Sequence, residues 1–345
     1  MTSSIVMLTD ELTTTLLLSC AAFILGMLLT PIYTYFAYKY KFWKKQRTTS
    51  TTGEKLKVFT KLHKDKFQRN IPTMAGIITV VSVTIVTLMF NMDRAETWLP
   101  LAALVGGGLV GLIDDVINIR GKGGGVAGLR SSVKFMAITA LGVGLGWYFA
   151  VKLGYDSVHL PFIGDWVIGL WMIPLFAFAV VAMGNAVNIS DGLDGLAGGL
   201  SAIAFGAFGA IATMQGHALL AGFCFTVLGA LLAYLWFNIY PARFFMGDVG
   251  SFALGTTLGV VAMLTNTFFL LPIIGIVFVI EAGSSMVQIL SKRYLHRKIF
   301  ISAPVHHHLE ATGWPETKVT MRFWVLAAGA ACVGILFALT GGHIL

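Results

Sequence analysis

Long apolar runs separated by short polar segments follow one another along almost the whole chain. A helix needs about 20 apolar residues to cross a bilayer. Ten runs approach that length: residues 12–38, 72–90, 98–113, 133–151, 166–184, 196–214, 218–240, 252–264, 268–290 and 319–339. The pattern predicts an all-α fold, a polytopic membrane bundle of about ten transmembrane helices, in which residues 1–345 form one integral membrane domain.

The composition supports this fold class. Hydrophobic residues make up 57% of the chain and charged residues only 12%, too few to cover the surface of a soluble protein of this size. A soluble multidomain enzyme, a disordered chain and a disulfide-built secreted module are therefore excluded. The three cysteines, Cys20, Cys224 and Cys332, lie inside apolar runs, which is typical of packing residues rather than of metal ligands or nucleophiles.

The basic residues predict the orientation of the bundle, because Lys and Arg accumulate in cytoplasmic loops. Of the 24 basic residues, only Arg94 and Lys152 follow even-numbered runs. Both termini are therefore expected in the periplasm, and the loop of residues 39–70 is the most basic cytoplasmic segment. The net charge of +8 suits anionic headgroups of the lipid bilayer, so no nucleic-acid partner is needed to explain it.

Three polar segments carry five aspartates. Asp114 and Asp115 end the third run, Asp191 and Asp194 follow the fifth, and Asp248 precedes the eighth. By the orientation above all five lie on the cytoplasmic side, and carboxylates near the hydrocarbon are costly and usually functional. We expect them to converge. Hard oxygen ligands without a His/Cys cluster beside them favour Mg²⁺.

Helix capping is the alternative explanation for two of these acids. Asp191 would cap the sixth run and Asp248 the eighth. Asp114 and Asp115 fit capping less well, because two adjacent like charges at the C-terminal end of a helix repel each other and the helix dipole. A bound cation would relieve both penalties.

A contiguous triplet, His306, His307 and His308, lies between the ninth and tenth runs. Such a triplet is compatible with a metal-binding tract, but consecutive side chains point in different directions, so one ion would not take all three. We expect one imidazole to reach phosphates and the others to hold the loop or contact substrate. Glu281 and Gln288, seven residues apart, share a face of the ninth run that is expected to line protein or water.

Aspartates that hold Mg²⁺, basic side chains and an imidazole at the edge of a membrane bundle together indicate a site for phosphoryl transfer. One substrate would be a water-soluble phosphoanhydride and the other a phosphorylated lipid, which explains why the catalyst is a membrane protein. An ion-coupled transporter is the alternative from another class. The aspartates, however, are expected at one rim of the bundle rather than at its midplane, where transporter sites lie.

Several segments form motifs that occur together in one family. They are Pro72-Thr-Met74, Gly111-Leu-Ile-Asp-Asp115, NAVNISDGLDGLA at 185–197, WFNIYPARFFMGDVGS at 236–251, PVHHHLE at 304–310 and GWPETKV at 313–319. In this order they resemble the phospho-MurNAc-pentapeptide transferase (MraY) family of the polyprenyl-phosphate N-acetylhexosamine-1-phosphate transferase superfamily. The resemblance extends from about residue 70 to the C-terminal end. The uninterrupted histidines set it apart from the WecA/TagO branch.

The resemblance implies transfer of phospho-MurNAc-pentapeptide from UDP-MurNAc-pentapeptide to undecaprenyl phosphate, which gives lipid I and UMP in peptidoglycan synthesis. It implies Mg²⁺ as cofactor and a multi-pass protein of the bacterial inner (cytoplasmic) membrane with its active site on the cytoplasmic face. It also implies a periplasmic hairpin, for which residues 152–165 are the natural place. A sister enzyme that transfers another N-acetylhexosamine 1-phosphate is the alternative. The oligomeric state stays open, with a homodimer as one arrangement.

The resemblance also assigns roles to residues. Asp248 matches the Mg²⁺ ligand, and Asp114 and Asp115 match the pair that handles the polyprenyl phosphate, with Asp114 as the candidate base. His306 matches the active-site histidine and completes the catalytic set. The substrate-binding set comprises Thr73, Lys134 near the phosphates, Gln288 and His307 near the sugar-peptide end, and a nucleoside pocket of Asn188, Asp191, Asp194, Asn238 and Phe245, the last stacking on uracil.

Several parts of the chain depart from the family pattern, among them the first loop, which lacks the usual Arg-Glu-x-Gly-Pro stretch, and the Gly-rich second loop. Two further departures lie in the motifs themselves. Asn118 stands where a lysine is usual, three residues beyond the aspartate pair. Residues 69–76 read Arg-Asn-Ile-Pro-Thr-Met-Ala-Gly in place of Lys-Gly-Thr-Pro-Thr-Met-Gly-Gly. A charge-assisted hydrogen bond is worth about 1.5–3 kcal/mol, so both changes bear on phosphate affinity and on the identity of the donor.

Overall fold

The computed structural model describes residues 2–43, 70–121 and 128–342, with side chains from residue 9 onward. Most of the basic loop 39–70 thus lies outside the described residues. The helices are α1 (Thr2–Lys39), α2 (Gly76–Phe90), α3 (Trp98–Arg120), α4 (Ser131–Trp147), α5 (Met172–Ser190), α6 (Leu196–Met214), α7 (Ala218–Asn238), α8 (Gly247–Leu264), α9 (Leu271–Ile274), α10 (Ile276–Leu290), α11 (Val305–Ala311) and α12 (Glu316–Thr340).

The prediction of an all-α polytopic membrane protein is confirmed. Within the described ranges, eight helices are long and apolar enough to cross a membrane. Two of the ten predicted spans differ from single full-length helices. The span predicted at 72–90 contains the 15-residue helix α2, and the span predicted at 268–290 is divided into α9 and α10 at Gly275, whose backbone leaves the helical conformation.

The shortened second span has a local cause. Residues 70–73 form an extended segment that pairs with other parts of the chain: the Thr73 N–H donates to the Phe42 carbonyl, and the Phe245 N–H donates to the Pro72 carbonyl. Backbone groups engaged in this way are not available to a helix, so α2 begins only at Gly76.

Two predicted boundaries were wrong at the acidic segments. The third span was predicted to end at residue 113, but α3 continues to Arg120, so Asp114 and Asp115 lie inside the helix. The eighth was predicted to begin at 252, but α8 begins at Gly247, which places Asp248 in its first turn. The apolar run ends at these charged residues. The helix itself continues, because the charged side chains face protein rather than lipid.

The predicted hairpin is present. Strands β1 (Ser157–Leu160) and β2 (Gly164–Val167) pair antiparallel, with Ser157 opposite Val167. The fifth span, predicted from residue 166, therefore starts later, because α5 begins at Met172 after a 3₁₀ turn. His159 ties the hairpin to the end of α12 through contacts of its ring nitrogens with Asp165 (2.7 Å) and with the Gly341 carbonyl (2.8 Å).

Helix α8 is the centre of the bundle. Every residue of α8 except Asp248 is buried, whereas the apolar stretches of α1 and α12 are only 22% buried and face the outside. A helix that is apolar on all sides needs protein around it. The partly exposed carboxylate of Asp248 therefore marks the point on α8 where the core is accessible.

Glycines bring the neighbouring helices against α8. An ideal Cβ on Gly111 of α3 would lie 2.1 Å from the Asp248 carbonyl oxygen, and one on Gly255 of α8 would lie 2.4 Å from the Met183 carbonyl of α5. Gly107 on α3 and Gly259 on α8 complete two glycine pairs spaced four residues apart, and Cβ atoms on them would also clash with the facing helix. This spacing permits close helix contact in membranes, and it fixes Asp248 beside α3.

Candidate active site

Lys134 joins two of the predicted acids. Its ammonium on α4 lies 3.1 Å from Asp114 Oδ2 on α3 and 3.1 Å from Asp248 Oδ2 on α8. Asp114 is buried, and its other oxygen accepts a hydrogen bond from the Leu129 N–H. Three separate helices thus bring their charges to one point, as expected for acids that converge.

Asp115 belongs to the same cluster through the backbone of α8. Its Oδ2 accepts a hydrogen bond of 3.1 Å from the Val249 N–H, at the start of the helix that carries Asp248. Helix N-termini favour negative charge. Gly247 adopts a left-handed backbone (φ 76°), and an ideal Cβ there would lie 2.5 Å from Asp115 Oδ2. A side chain at this position would therefore displace the carboxylate.

Helix α5 approaches the cluster through Asn188 in its last turn, whose amide donates to Ser251 on α8 at 2.9 Å. Asp194 Oδ2 accepts the Ala242 N–H at 3.0 Å. The Asn238 side chain bridges the same two segments, because it accepts the Gly195 N–H and donates to the Phe244 carbonyl. Three residues predicted for the nucleoside pocket are thus linked to the 242–251 segment.

The capping alternative for the aspartates was wrong. Asp191 follows the last residue of α5, and α6 begins after Gly195 with no side-chain cap. Asp248 lies within α8, whose N-cap residue is Met246, also without a side-chain cap. Capping therefore does not explain why these carboxylates lie where they do.

The three histidines have three different partners, which agrees with the prediction that one ion would not take them all. His306 Nδ1 contacts Glu281 at 2.7 Å, and His307 Nδ1 contacts Glu310 at 2.8 Å. His308 Nδ1 accepts the Ile301 N–H at 3.2 Å.

Burial, with a smaller contribution from neighbouring His306, lowers the pKa of His307 from 6.5 to about 4. The His307 ring is therefore neutral at pH 7. Its Nδ1–H donates to Glu310, which leaves Nε2 as an acceptor.

His306 faces the segment after α5. Its ring is fully buried, and an ideal Cβ on Gly192 would lie 2.3 Å from Nε2, so glycine is needed next to Asp191 for the ring to approach. Glu281 is also fully buried. The shared face predicted for Glu281 and Gln288 is confirmed, since both side chains lie inside the protein.

Backbone contacts place three further predicted residues, Gln288, Thr73 and Phe245. The Gln288 amide is bonded to the backbone of Ile299 and Phe300, so it holds the loop that precedes the histidines. Thr73 is buried on the extended segment, where Tyr33 donates to its carbonyl. Phe245 lies opposite Pro72 and is half-buried.

Several buried side-chain oxygens near the site have no hydrogen-bond partner among the described residues, and two of them belong to residues that the sequence motifs single out. They are Thr73 Oγ1 and Asn118 Oδ1. An unsatisfied buried acceptor costs about 1–3 kcal/mol, so both oxygens are suited to a ligand or water. Asn118 lies one helical turn beyond Asp114 and is itself buried, which makes the departure from lysine a change inside the site.

Sequence reasoning missed acids that support the site. Glu281 carries no assigned role in the motifs, yet it holds His306. Glu316, in the first turn of α12, accepts the Asp194 N–H at 2.6 Å. Glu310 holds His307. Glu310 and Glu316 lie in recognised motifs and Glu281 lies in none, but in each case the partner that explains the acid is distant in sequence or requires the fold of α11.

The donor set fits Mg²⁺. Within the described ranges no three His, Cys, Asp or Glu side chains are grouped to hold a metal ion, but Mg²⁺ keeps several waters and is usually held by one or two carboxylates with substrate phosphates. Asp248 is the most exposed acid of the cluster, at 14%. Two carboxylates share one ammonium, and the Asp115 carboxylate lies beside them on the backbone of α8. Such a group of hard oxygens suits a divalent cation.

Comparison with known proteins identifies the family. A family model described as glycosyl transferase family 4 matches residues 97–266. The phospho-N-acetylmuramoyl-pentapeptide-transferase of Chloroflexus aurantiacus is 41% identical over 97% of this chain and 92% of its own length. This chain belongs to the phospho-N-acetylmuramoyl-pentapeptide-transferase family.

Other members of the family have similar coverage. The enzyme of that name from Geobacillus sp. (strain WCH70) is 37% identical over 94% of this chain and 95% of its own length. The one from Thermodesulfovibrio yellowstonii is 39% identical over 77% of this chain and 79% of its own length. The predicted resemblance is confirmed, and the protein is a multi-pass bacterial membrane transferase.

The buried Glu281–His306 pair predicts a positioning role for Glu281 in this transferase. Glu281→Gln replaces the carboxyl group that contacts His306 Nδ1 with an amide, and we expect the loss of this orienting partner to cost about 10- to 100-fold in activity, as for the partners of metal-bound histidines. We expect kcat for UMP release to fall by that amount while KM for the nucleotide substrate stays within about twofold.

Ser284→Ala is the matched control, because it removes the hydroxyl that links the Glu281 carbonyl to the Val305 N–H without touching the imidazole. It should keep near-normal kcat. A Glu281→Gln variant with raised KM and unchanged kcat would show that this acid does not act through His306.

Proposed function

We propose that the chain transfers phospho-MurNAc-pentapeptide from UDP-MurNAc-pentapeptide to undecaprenyl phosphate and so makes lipid I and UMP for peptidoglycan synthesis. The observation that carries the proposal is near full-length similarity to transferases named for that group. The arrangement of Lys134 between Asp114 and Asp248 supports it, because such a cluster suits phosphate chemistry at the end of a membrane bundle.

The reaction exchanges one phosphoanhydride for another. A phosphate oxygen of the lipid attacks the sugar-bearing phosphorus of the nucleotide donor, and the bond to UMP breaks as the new bond forms. Little driving force is needed, so positioning and neutralisation of charge are the main tasks of the protein. Lys134 serves both tasks, since its ammonium is held in place by two carboxylates and can also donate to phosphate oxygens.

Asp248, with Asp114 and Asp115 beside it, would hold Mg²⁺. When bound, the ion neutralises charge on the two phosphates and orients them. The hard oxygens that these three carboxylates bring together favour this assignment.

Asp114 is the candidate base, and its surroundings limit that role. Both of its oxygens accept hydrogen bonds, from the Leu129 N–H and from Lys134. For Asp114 to take a proton from the lipid phosphate, one of its two oxygens must first lose its present hydrogen-bond donor. As arranged, Asp114 orients Lys134, and the lipid phosphate would approach on the Asp115 and Lys134 side.

The remaining predicted residues form two further regions of the site. Asn188, Asp191, Asp194, Asn238 and Phe245 would bind the nucleoside, and the link of Asn188 to Ser251 sets this pocket a single turn of α8 away from Asp248. His306 would contact the diphosphate, and His307 the sugar-peptide end, next to the loop that Gln288 holds. Thr73 and Asn118 offer oxygens to substrate or water.

We place the site on the cytoplasmic side of the bacterial inner membrane, because the nucleotide donor is water-soluble and basic loops favour that side. The ion-coupled transporter is not favoured, since the charged residues of the site cluster at the ends of α3 and α8. A homodimer stays a prediction.

The donor assay tests the function directly. Purified protein, undecaprenyl phosphate and Mg²⁺ are incubated with UDP-MurNAc-pentapeptide or with UDP-GlcNAc, and UMP is measured. We expect UMP release that requires the lipid and is at least about a hundredfold faster with the peptide-bearing donor. Preference for UDP-GlcNAc would assign the chain to the sister enzymes, and no release from either donor would contradict the proposal.

Asp248→Asn tests the Mg²⁺ assignment. The variant keeps the shape of the side chain but loses its charge, and we expect UMP release to fall about a hundredfold or more at saturating Mg²⁺, while the protein stays folded with unchanged helix content. Asp156→Asn, the same change at an exposed residue next to the hairpin, should be fully active. Substantial Mg²⁺-dependent turnover by Asp248→Asn would refute the assignment.

A further inference from the structure

A cavity lies at the same end of the bundle as the acid cluster. It has a volume of about 710 Å³ and is bounded by the last turns of α1, the end of α7, and residues 71–72 and 242–244. This volume is in the range of sites for small molecules. None of Asp114, Asp115, Asp248 or His306 lines it, so it does not contain the acid cluster or the active-site histidine.

Arg243 is the charged residue of this cavity. Its backbone N–H donates to the Phe237 carbonyl, and its guanidinium lies 5.9 Å from the centre of the Phe237 ring. No carboxylate pairs with this guanidinium among the residues that the structure describes. An arginine held in place beside a cavity without a counter-charge is suited to an anion, and guanidinium geometry matches phosphate.

Aromatic residues place the cavity at the level of lipid headgroups. Tyr35, Tyr38 and Tyr40 at the end of α1 are 60%, 52% and 58% exposed, and Lys39 stacks on the rings of Tyr35 and Tyr40. Exposed tyrosines and a lysine at the end of a membrane helix are typical of the membrane–water interface. Tyr38 also lines the cavity, so the cavity opens where phosphate headgroups lie.

An apolar groove adjoins the cavity. It has a volume of about 240 Å³, runs between α1 and α2, and is lined by Leu29, Ile32, Phe36, Ile77 and Val81 with other apolar side chains. Tyr33 borders both the cavity and the groove. The two spaces together offer a cation for a headgroup and an apolar surface for a chain, which is the requirement of an amphiphile.

We propose that this cavity and groove bind an anionic phospholipid of the surrounding leaflet, with its phosphate on Arg243 and an acyl chain along the α1–α2 groove. A lipid whose phosphate lies on Arg243 does not touch the acids that line the active site. The occupant is therefore a bilayer phospholipid and not the carrier lipid in its reacting position. The site is linked to the active site by the chain itself, since Ala242, which lines the cavity, donates its N–H to Asp194.

The test uses the purified full-length protein in detergent, titrated with phosphatidylglycerol and analysed by native mass spectrometry. We expect one retained phosphatidylglycerol per chain, and about tenfold weaker binding by Arg243→Gln, the loss expected for one charge-assisted hydrogen bond. Arg293→Gln is the matched control, because Arg293 is also exposed and stacked on a neighbouring aromatic ring, Tyr294, but lies outside the cavity. It should bind phosphatidylglycerol as the unmodified protein does.

Further experiments distinguish binding of a phospholipid from binding of free phosphate or of an uncharged lipid. Thr34→Trp fills the cavity without changing charge and should weaken phosphatidylglycerol binding as much as Arg243→Gln. Diacylglycerol should not be retained, and millimolar inorganic phosphate should not displace the phospholipid. Equal losses in Arg243→Gln and Arg293→Gln, displacement by inorganic phosphate, or no retained phosphatidylglycerol would overturn the proposal. So would a raised KM for undecaprenyl phosphate in Arg243→Gln with phosphatidylglycerol binding unchanged.

Discussion

The structure depends on one ammonium group between two carboxylates. Lys134 on α4 reaches Asp114 on α3 and Asp248 on α8 at 3.1 Å each, and without a cation the two acids would repel each other in surroundings of low polarity. Asp248 lies on the central helix, every other residue of which is buried. The same contact therefore fixes the relative positions of three helices and concentrates negative charge where phosphates would bind.

Close backbone packing makes this contact available. Gly111 brings α3 against the backbone of Asp248, and Gly247 leaves room for the Asp115 carboxylate beside α8. On the other side, Glu281 holds His306 against the segment after α5, where Gly192 leaves room for the ring. Charged groups are positioned by glycines that let helices and loops approach, so the site is built by packing as much as by electrostatics.

Much of this was visible in the sequence, and the exceptions share a cause. The helix at 196–214 was predicted to the residue, and the acidic segments were expected to meet. The end of α3 was missed because hydropathy stops at Asp114, whereas the partners that stabilise Asp114 inside the protein come from residues 129 and 134. The contacts of Glu281 with His306 and of Glu316 with the Asp194 N–H were missed for the same reason, since long-range partners leave no local pattern. The spacing of Gly107 and Gly111 was present in the sequence and indicates close packing only once the facing helix is known.

The most direct test of the central contact is the thermal unfolding temperature of Lys134→Met with EDTA and with Mg²⁺. If the acids converge on this ammonium, the variant removes the cation that Asp114 and Asp248 share. It should then unfold at a clearly lower temperature in EDTA and recover most of the loss in millimolar Mg²⁺. The control Lys152→Met, at the opposite end of the bundle, should keep the unfolding temperature of the unmodified protein in both conditions. A Lys134→Met variant that unfolds with the unmodified protein in EDTA and gains nothing from Mg²⁺ would contradict the account.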